Sequence, residues 1–155
     1  MEIRDNIMEI IKMKPSDTMT IPEIREYSLK LEAKTENISI INDKLLSLDI
    51  EENDIFTLRL IAEEMFVNIC SYAYKDGTGT AEVSISQDGK KVTLVFIDSG
   101  IPFDPTKDIP DIDNYDPDID IGGLGRFLTF EIADEYSYQY KDGKNILTII
   151  KNFSG

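Results

Sequence analysis

The stretch from Ile97 to Phe127 restricts the folds open to this chain more than any other. It leaves an apolar strand through Asp98-Ser99-Gly100 and crosses a segment from Asp104 to Ile121 dense in Asp and Pro. It closes on Gly122-Gly123-Leu124-Gly125 ahead of a helical pattern. A connection this long without periodicity is uncommon inside a domain and is usually functional or disordered. Its two ends carry complementary chemistry. An acid at a strand's end can accept hydrogen bonds from a base, and backbone amides at a glycine-rich helix start can face phosphates. The stretch therefore predicts a nucleotide pocket under a lid, with a metal ligand and a general base still to be found elsewhere.

The strongest helical pattern supplies candidates for both. Ile55, Leu58, Ile61, Ala62, Met65, Ile69 and Ala73 keep helical spacing up to Lys75-Asp76-Gly77, where Gly77 is the expected stop. Glu64 and Asn68 lie four residues apart and so project side by side from one face. Both are flanked by apolar positions, and polar groups beside a core stripe need partners. In isolation Glu-x-x-x-Asn reads as a solvated edge; the glycine-rich loops that follow give the pair its value.

The remaining segments set the architecture. Ile3, Ile7, Ile10 and Ile11 have helical spacing that ends at Pro15, so residues 1 to 13 read as a short amphipathic helix. It packs on its own domain or contacts a second subunit. Residues 16 to 24 read as linker, which divides the chain into 1–24 and a domain over 25–155. Tyr27, Leu29, Leu31 and Ala33 alternate as a strand. Thr35 is expected to cap a helix that buries Ile38, Ile41, Leu45 and Leu48, followed by a polar connection from Asp49 to Asp54.

Thr80 to Ser86 alternates, Asp88-Gly89 signals a turn, and Val92 to Ile97 is apolar on both sides, as in a central strand. Beyond the lid, a helix from about Leu124 to Ala133 should bury Leu124, Phe127, Leu128 and Ile132. Tyr136, Tyr138 and Tyr140 alternate along a strand and read as a sheet face. Asp142-Gly143 then turns into Ile146 to Ile150. Two hairpins imply a mostly antiparallel sheet. With the helices on one face, the fold class is α+β, a two-layer sandwich.

Composition removes several functions. A formal net charge of −14 argues against nucleic acid or an anionic membrane as the main partner. A nucleotide held by backbone amides and Mg2+, or a basic protein, remains compatible. The chain has no histidine, which excludes His-based triads, His zinc sites and a phosphohistidine on this chain. Cys70 is the sole cysteine and falls on the apolar side of a helix, so it reads as a structural thiol in a reducing compartment. No apolar run approaches membrane-span length and no signal peptide is visible, which predicts a cytoplasmic protein.

Glu64-x-x-x-Asn68 on a long helix, Asp98-Ser99-Gly100-Ile101-Pro102-Phe103-Asp104-Pro105 after a strand, a lid, and Gly122-Gly123-Leu124-Gly125 before a helix occur in fixed order. Together they resemble the GHKL ATPases, the superfamily of gyrase, histidine kinases and MutL. The short chain and the Asp-x-Gly-x-Pro-Phe-Asp-Pro run look like the RsbW-type anti-sigma factor serine kinases, over about residues 25 to 153.

The resemblance implies the Bergerat ATP-binding fold, with ATP and Mg2+ as cofactors. It implies that Asn68 ligates Mg2+ and that Glu64 is the general base. Asp98 would accept from the adenine amino group, with Gly100 letting the chain pass close to the base. Gly122, Gly123, Leu124 and Gly125 would hold the phosphates at the helix start. It further implies a homodimer that phosphorylates a serine on a STAS-fold anti-anti-sigma protein and sequesters an RNA polymerase sigma factor. Two features depart from the pattern: Tyr72 stands where many relatives have His, and Lys107 is the lid's only cation, although Arg126 follows Gly125. An alternative function is a non-catalytic switch in which ATP closes the lid and sets partner affinity.

Overall fold

The computed structural model describes residues 24–116, 118 and 123–154. The N-terminal helix expected over residues 1 to 13, nearly all of the linker, and Gly122 lie outside the described residues. Strands β1 (Ile24–Glu32), β2 (Thr80–Asp88), β3 (Lys91–Asp98), β4 (Glu135–Lys141) and β5 (Lys144–Asn152) form one sheet in the order β1-β2-β3-β5-β4. Every pairing is antiparallel. Helices α1 (Ile38–Leu46) and α2 (Glu52–Tyr72) pack on one face, and α3 (Gly123–Ile132) packs against α2. This is the expected two-layer α+β sandwich.

Strand alternation builds the core. Ala81, Val83 and Ile85 of β2, Val92, Leu94 and Phe96 of β3, and Leu147 and Ile149 of β5 point to the helices and are buried. Ile41 and Leu45 of α1 and Leu58, Ile61 and Phe66 of α2 meet them. Burying each such side chain contributes roughly 1.5–3 kcal/mol. The same parity delivers three polar residues to the buried face: Gln87, Asp98 and Asn145. Gln87 clamps the α1–α2 connection to the β2–β3 turn. Its Nε2 donates to the carbonyls of Asp49 at 3.0 Å and Gly89 at 2.9 Å, and its Oε1 accepts from the Asp49 N–H at 3.0 Å. Asp98 and Asn145 sit directly opposite each other in the β3–β5 register.

Several local expectations shift. Thr35 opens a 3-10 turn and caps nothing; α1 begins only at Ile38, and Leu48 is buried just beyond its end. The connection expected from Asp49 to Asp54 is partly helix: α2 starts at Glu52 with Glu52 and Asp54 in its first turn, where carboxylates favour the helix dipole. The helix stops at Tyr72, ahead of Gly77. The loop after β3 reaches its end, and the Ile101 N–H donates to the Ala73 carbonyl at 3.0 Å, satisfying a terminal acceptor. Gly77 instead takes φ +73° in the following turn.

In α3, Leu124 is exposed, whereas Gly123, Gly125, Thr129 and Phe130 are buried. The glycine face, not the Leu124 face, packs inward because only it admits the neighbouring helix closely. Asp142 (φ 54°) and Gly143 (φ 76°) both adopt positive φ, as the expected two-residue hairpin requires.

Candidate functional site

A cavity of about 370 Å³ opens at the end of β3, between the C-terminal half of α2, β4, β5 and the start of the lid. Such a volume is typical of a small-molecule site. Buried Met65, Phe96 and Leu147 form apolar wall, and Ile101, Phe103 and Tyr72 are more exposed members of the lining. Asn68, Asp98, Tyr138, Asn145 and Arg126 place polar groups on this surface.

The strand register and the following turn hold the Asp98 carboxylate. Its Oδ1 accepts from the Gly100 N–H and from Asn145 Nδ2, each at 2.9 Å. No described residue donates to Oδ2. Asn145 ties the whole turn together. Nδ2 also donates to the Ile101 carbonyl at 2.9 Å, while Oδ1 accepts from the Phe103 N–H at 3.1 Å and from the Tyr138 hydroxyl. One oxygen of Asp98 is thus saturated and the other is available to a ligand donor. Burial raises the Tyr138 phenol above its ordinary range, so it remains the donor in this network.

Asn145 and Tyr138 were not among the expected site residues. The signal for Asn145 was present: it shares parity with Leu147 and Ile149, so a polar residue falls on the buried face of a strand. Tyr138 is likewise more than sheet face, since it lines the cavity. Tyr136 instead packs on Phe130, with ring centroids 4.7 Å apart.

Asn68 lines the cavity, and no described residue hydrogen-bonds its side chain. Its carbonyl oxygen is therefore available as a hard ligand. Among the described residues no three carboxylate or thiol side chains cluster as a metal cage. That donor set suits Mg2+, which keeps several waters and uses few protein oxygens alongside phosphates. The acidic lid is used otherwise: Asp104, Asp111 and Asp116 each accept the N–H two residues on and so shape turns.

Glu64 is one helical turn from Asn68 but does not line the cavity. Its carboxylate lies against the first turn of α3; a Cβ on Gly125 would stand 1.8 Å from Glu64 Oε2. A side chain at position 125 would therefore have to displace the Glu64 carboxylate from its place at the α2–α3 contact. Desolvation, with a smaller push from the Glu63 charge, raises the Glu64 carboxyl above the usual range. Gly100 is also explained by close packing. A Cβ there would stand 2.2 Å from the Ala73 carbonyl oxygen, so the close approach seen is to the end of α2. Gly123 is buried at the start of α3 and Leu124 points outward. Cys70 is half-buried and its thiol is pushed up by burial, in keeping with a structural role.

No helix among the described residues is long and apolar enough to cross a membrane. The serine/threonine-protein kinase BtrW of Bordetella bronchiseptica is 35% identical over 96 residues, covering 61% of this chain and 68% of that protein. The crystal structure of the RsbU and RsbW domains of Rv1364c from Mycobacterium tuberculosis matches with a TM-score of 0.58 at 15% identity. The match covers 83% of this chain but 32% of that one, so this chain corresponds to about a third of it, and the likeness is one of fold. The model of the histidine kinase-like ATPase domain matches residues 30–151, which takes in α2, the Asp98 turn, the lid and α3. With the α+β sandwich and its cavity, this match shows that the chain belongs to the histidine kinase-like ATPase domain family.

Proposed function

We propose that this protein is an ATP-dependent protein serine kinase of the RsbW type, acting on a STAS-fold anti-anti-sigma partner and holding a sigma factor in the alternate complex. The observation that carries the nucleotide reading is the Asp98 carboxylate, with both of its bonds from described residues on one oxygen, in an apolar cavity that also presents Asn68, whose side chain no described residue hydrogen-bonds. The free Oδ2 suits an exocyclic amino group, and the apolar walls suit a purine face. Asn68 would hold Mg2+, which supplies charge neutralisation at the phosphates. Glu64 would accept the proton of the serine hydroxyl, and its raised affinity for a proton favours that role. Gly122 to Gly125 would offer amides to the phosphates. The relative named as a serine/threonine-protein kinase supports the substrate class. A homodimer acting in the cytoplasm completes the reading.

A pull-down from native lysate with and without ATP, followed by phosphopeptide mapping, tests it. A STAS-fold protein carrying a phosphoserine only after incubation with Mg2+ and ATP is expected; a captured partner that gains no phosphate would refute the kinase.

One observation favours a second reading, a switch that binds ATP and sets partner affinity without transfer. Glu64 lies against Gly125 and does not line the cavity. On that reading the carboxylate is a packing element at the α2–α3 contact, and ATP alone changes partner affinity.

A further inference from the structure

Every backbone N–H from Ser99 to Phe103 has an acceptor inside the protein. Ser99 donates to the Tyr74 hydroxyl at 3.0 Å, Gly100 to Asp98 Oδ1 at 2.9 Å, Ile101 to the Ala73 carbonyl at 3.0 Å and Phe103 to Asn145 Oδ1 at 3.1 Å; Pro102 has no N–H. The buried Asn145 takes up the donors that remain beside them. Its Nδ2 hydrogens go to Asp98 Oδ1 and to the Ile101 carbonyl, both at 2.9 Å, and its Oδ1 also accepts the Tyr138 proton. A carboxylate and a carbonyl can only accept, and the Phe103 N–H can only donate, so the amide has one orientation that meets all its partners. Its two hydrogens and two lone pairs are then all in use. The Tyr138 oxygen, its proton committed to Asn145, can only accept from any further group. Asp98, Ile101, Phe103, Tyr138 and Asn145 all line the cavity, and they face it with acceptors and no uncommitted loop or side-chain donor.

We propose that Asn145 is a specificity-determining residue: by holding the Phe103 and Tyr138 protons and pinning the Asp98 carboxylate, it makes this end of the cavity reject 6-oxo purines. A 6-amino group brings donors to a wall of acceptors. A 6-oxo group brings one more acceptor and finds no partner, and a polar group that leaves water without gaining a bond is costly. Specificity built this way comes from the unmet group as much as from the favoured contact. Asn145 acts through Asp98, Tyr138 and Phe103 and has no bonding capacity left for the base, so it is a positioning residue. Aspartate in its place would lack both donors, and a single hydroxyl could not meet four partners. The inference rests on the nucleotide reading above, in which Asp98 pairs with the base, and adds to it the residue that withholds donors from a competing base.

The test is calorimetric titration of the full chain with Mg2+-ATP and with Mg2+-inosine triphosphate, which differ in the base and share the phosphates. Wild type should prefer ATP by roughly 10- to 100-fold, the span of hydrogen bonds to charged groups. Asn145→Leu keeps the branch at Cγ and removes all four bonds. It frees the Tyr138 hydroxyl and the Phe103 N–H as donors at the cavity, so it should bind inosine triphosphate at least as tightly as wild type while ATP binding weakens. The preference for ATP should then fall by about fivefold or more, the worth of one hydrogen bond. Asn145→Thr, a β-branched residue suited to a strand, serves as the second variant should leucine not fold. Its one hydroxyl leaves donors free as well, so it should move the preference in the same direction by a smaller factor. A variant that keeps the wild-type preference would overturn the proposal. Equal loss of both nucleotides would make Asn145 scaffolding and overturn it too, since a loosened fold does not hold or raise affinity for the disfavoured base. A wild type that binds both nucleotides equally would overturn this inference and leave nucleotide binding standing. A wild type that binds neither would refute the nucleotide reading itself, and this inference with it.

Discussion

Asp98→Asn should invert what the cavity accepts at its polar end. Oδ1 receives two donors, the Gly100 N–H and Asn145 Nδ2, both at 2.9 Å. An asparagine must keep its carbonyl there, since a flipped amide would set its NH2 against two N–H donors and forfeit two bonds. The NH2 therefore replaces Oδ2 and faces the ligand as a donor. Against adenine's amino group this removes a charge-assisted hydrogen bond, about 1.5–3 kcal/mol, or roughly 10- to 100-fold in affinity. A 6-oxo purine presents an acceptor at the same place, so inosine triphosphate should lose far less. The fold should persist, because both internal bonds to Oδ1 remain with a neutral acceptor; a cost of about 1 kcal/mol fits the change from charged to neutral bonding. Calorimetric titration with ATP and inosine triphosphate, alongside thermal melts, reads all three quantities. Unchanged ATP affinity would remove Asp98 from the base site. Equal losses for both nucleotides would refute the fixed amide orientation.

Asn68→Ala should weaken ATP binding chiefly when Mg2+ is present; an equal loss in EDTA would mark the residue as structural. Glu64→Gln should lower single-turnover phosphate transfer to a co-purified partner by about 10²–10⁴ with ATP affinity within a few-fold, whereas a switch would show no transfer in either form. The same substitution has a stability consequence. Burial raises the Glu64 carboxyl, so its contribution to stability is full below the ordinary carboxylate range and is lost as pH rises through the raised value. Gln should then melt at or above wild type at pH 7, with the difference vanishing in acid, and a Gln variant that melts lower at pH 7 would contradict the assigned cause. Sedimentation of the full chain against one beginning at Glu23 should show a dimer only for the former, if Ile3, Ile7 and Ile10 form the interface; two monomers at tens of micromolar would exclude it.

Local periodicity made most of the architecture legible. Alternation marked β1, β2 and β4, an apolar run marked β3, Asp142-Gly143 marked the hairpin into β5 and takes positive φ at both residues, and helical spacing marked α2 through its core stripe. These signals survive in a linear chain because each depends on neighbours within one turn or one pleat. The order of the Glu64, Asn68, Asp98 and glycine-rich segments pointed to the family for the same reason. Tertiary structure decided what touches what. Asn145 reaches Asp98 across 47 residues, through a register that no local pattern records. Arg126 meets the Lys107 carbonyl 19 residues away only because α3 folds back beside the lid. Gly100 and Gly125 read as ligand glycines in sequence, yet their missing side chains face Ala73 and Glu64. Absence of a Cβ permits close approach without naming the group that approaches, and packing of α2 against the β3 loop and against α3 supplies that answer.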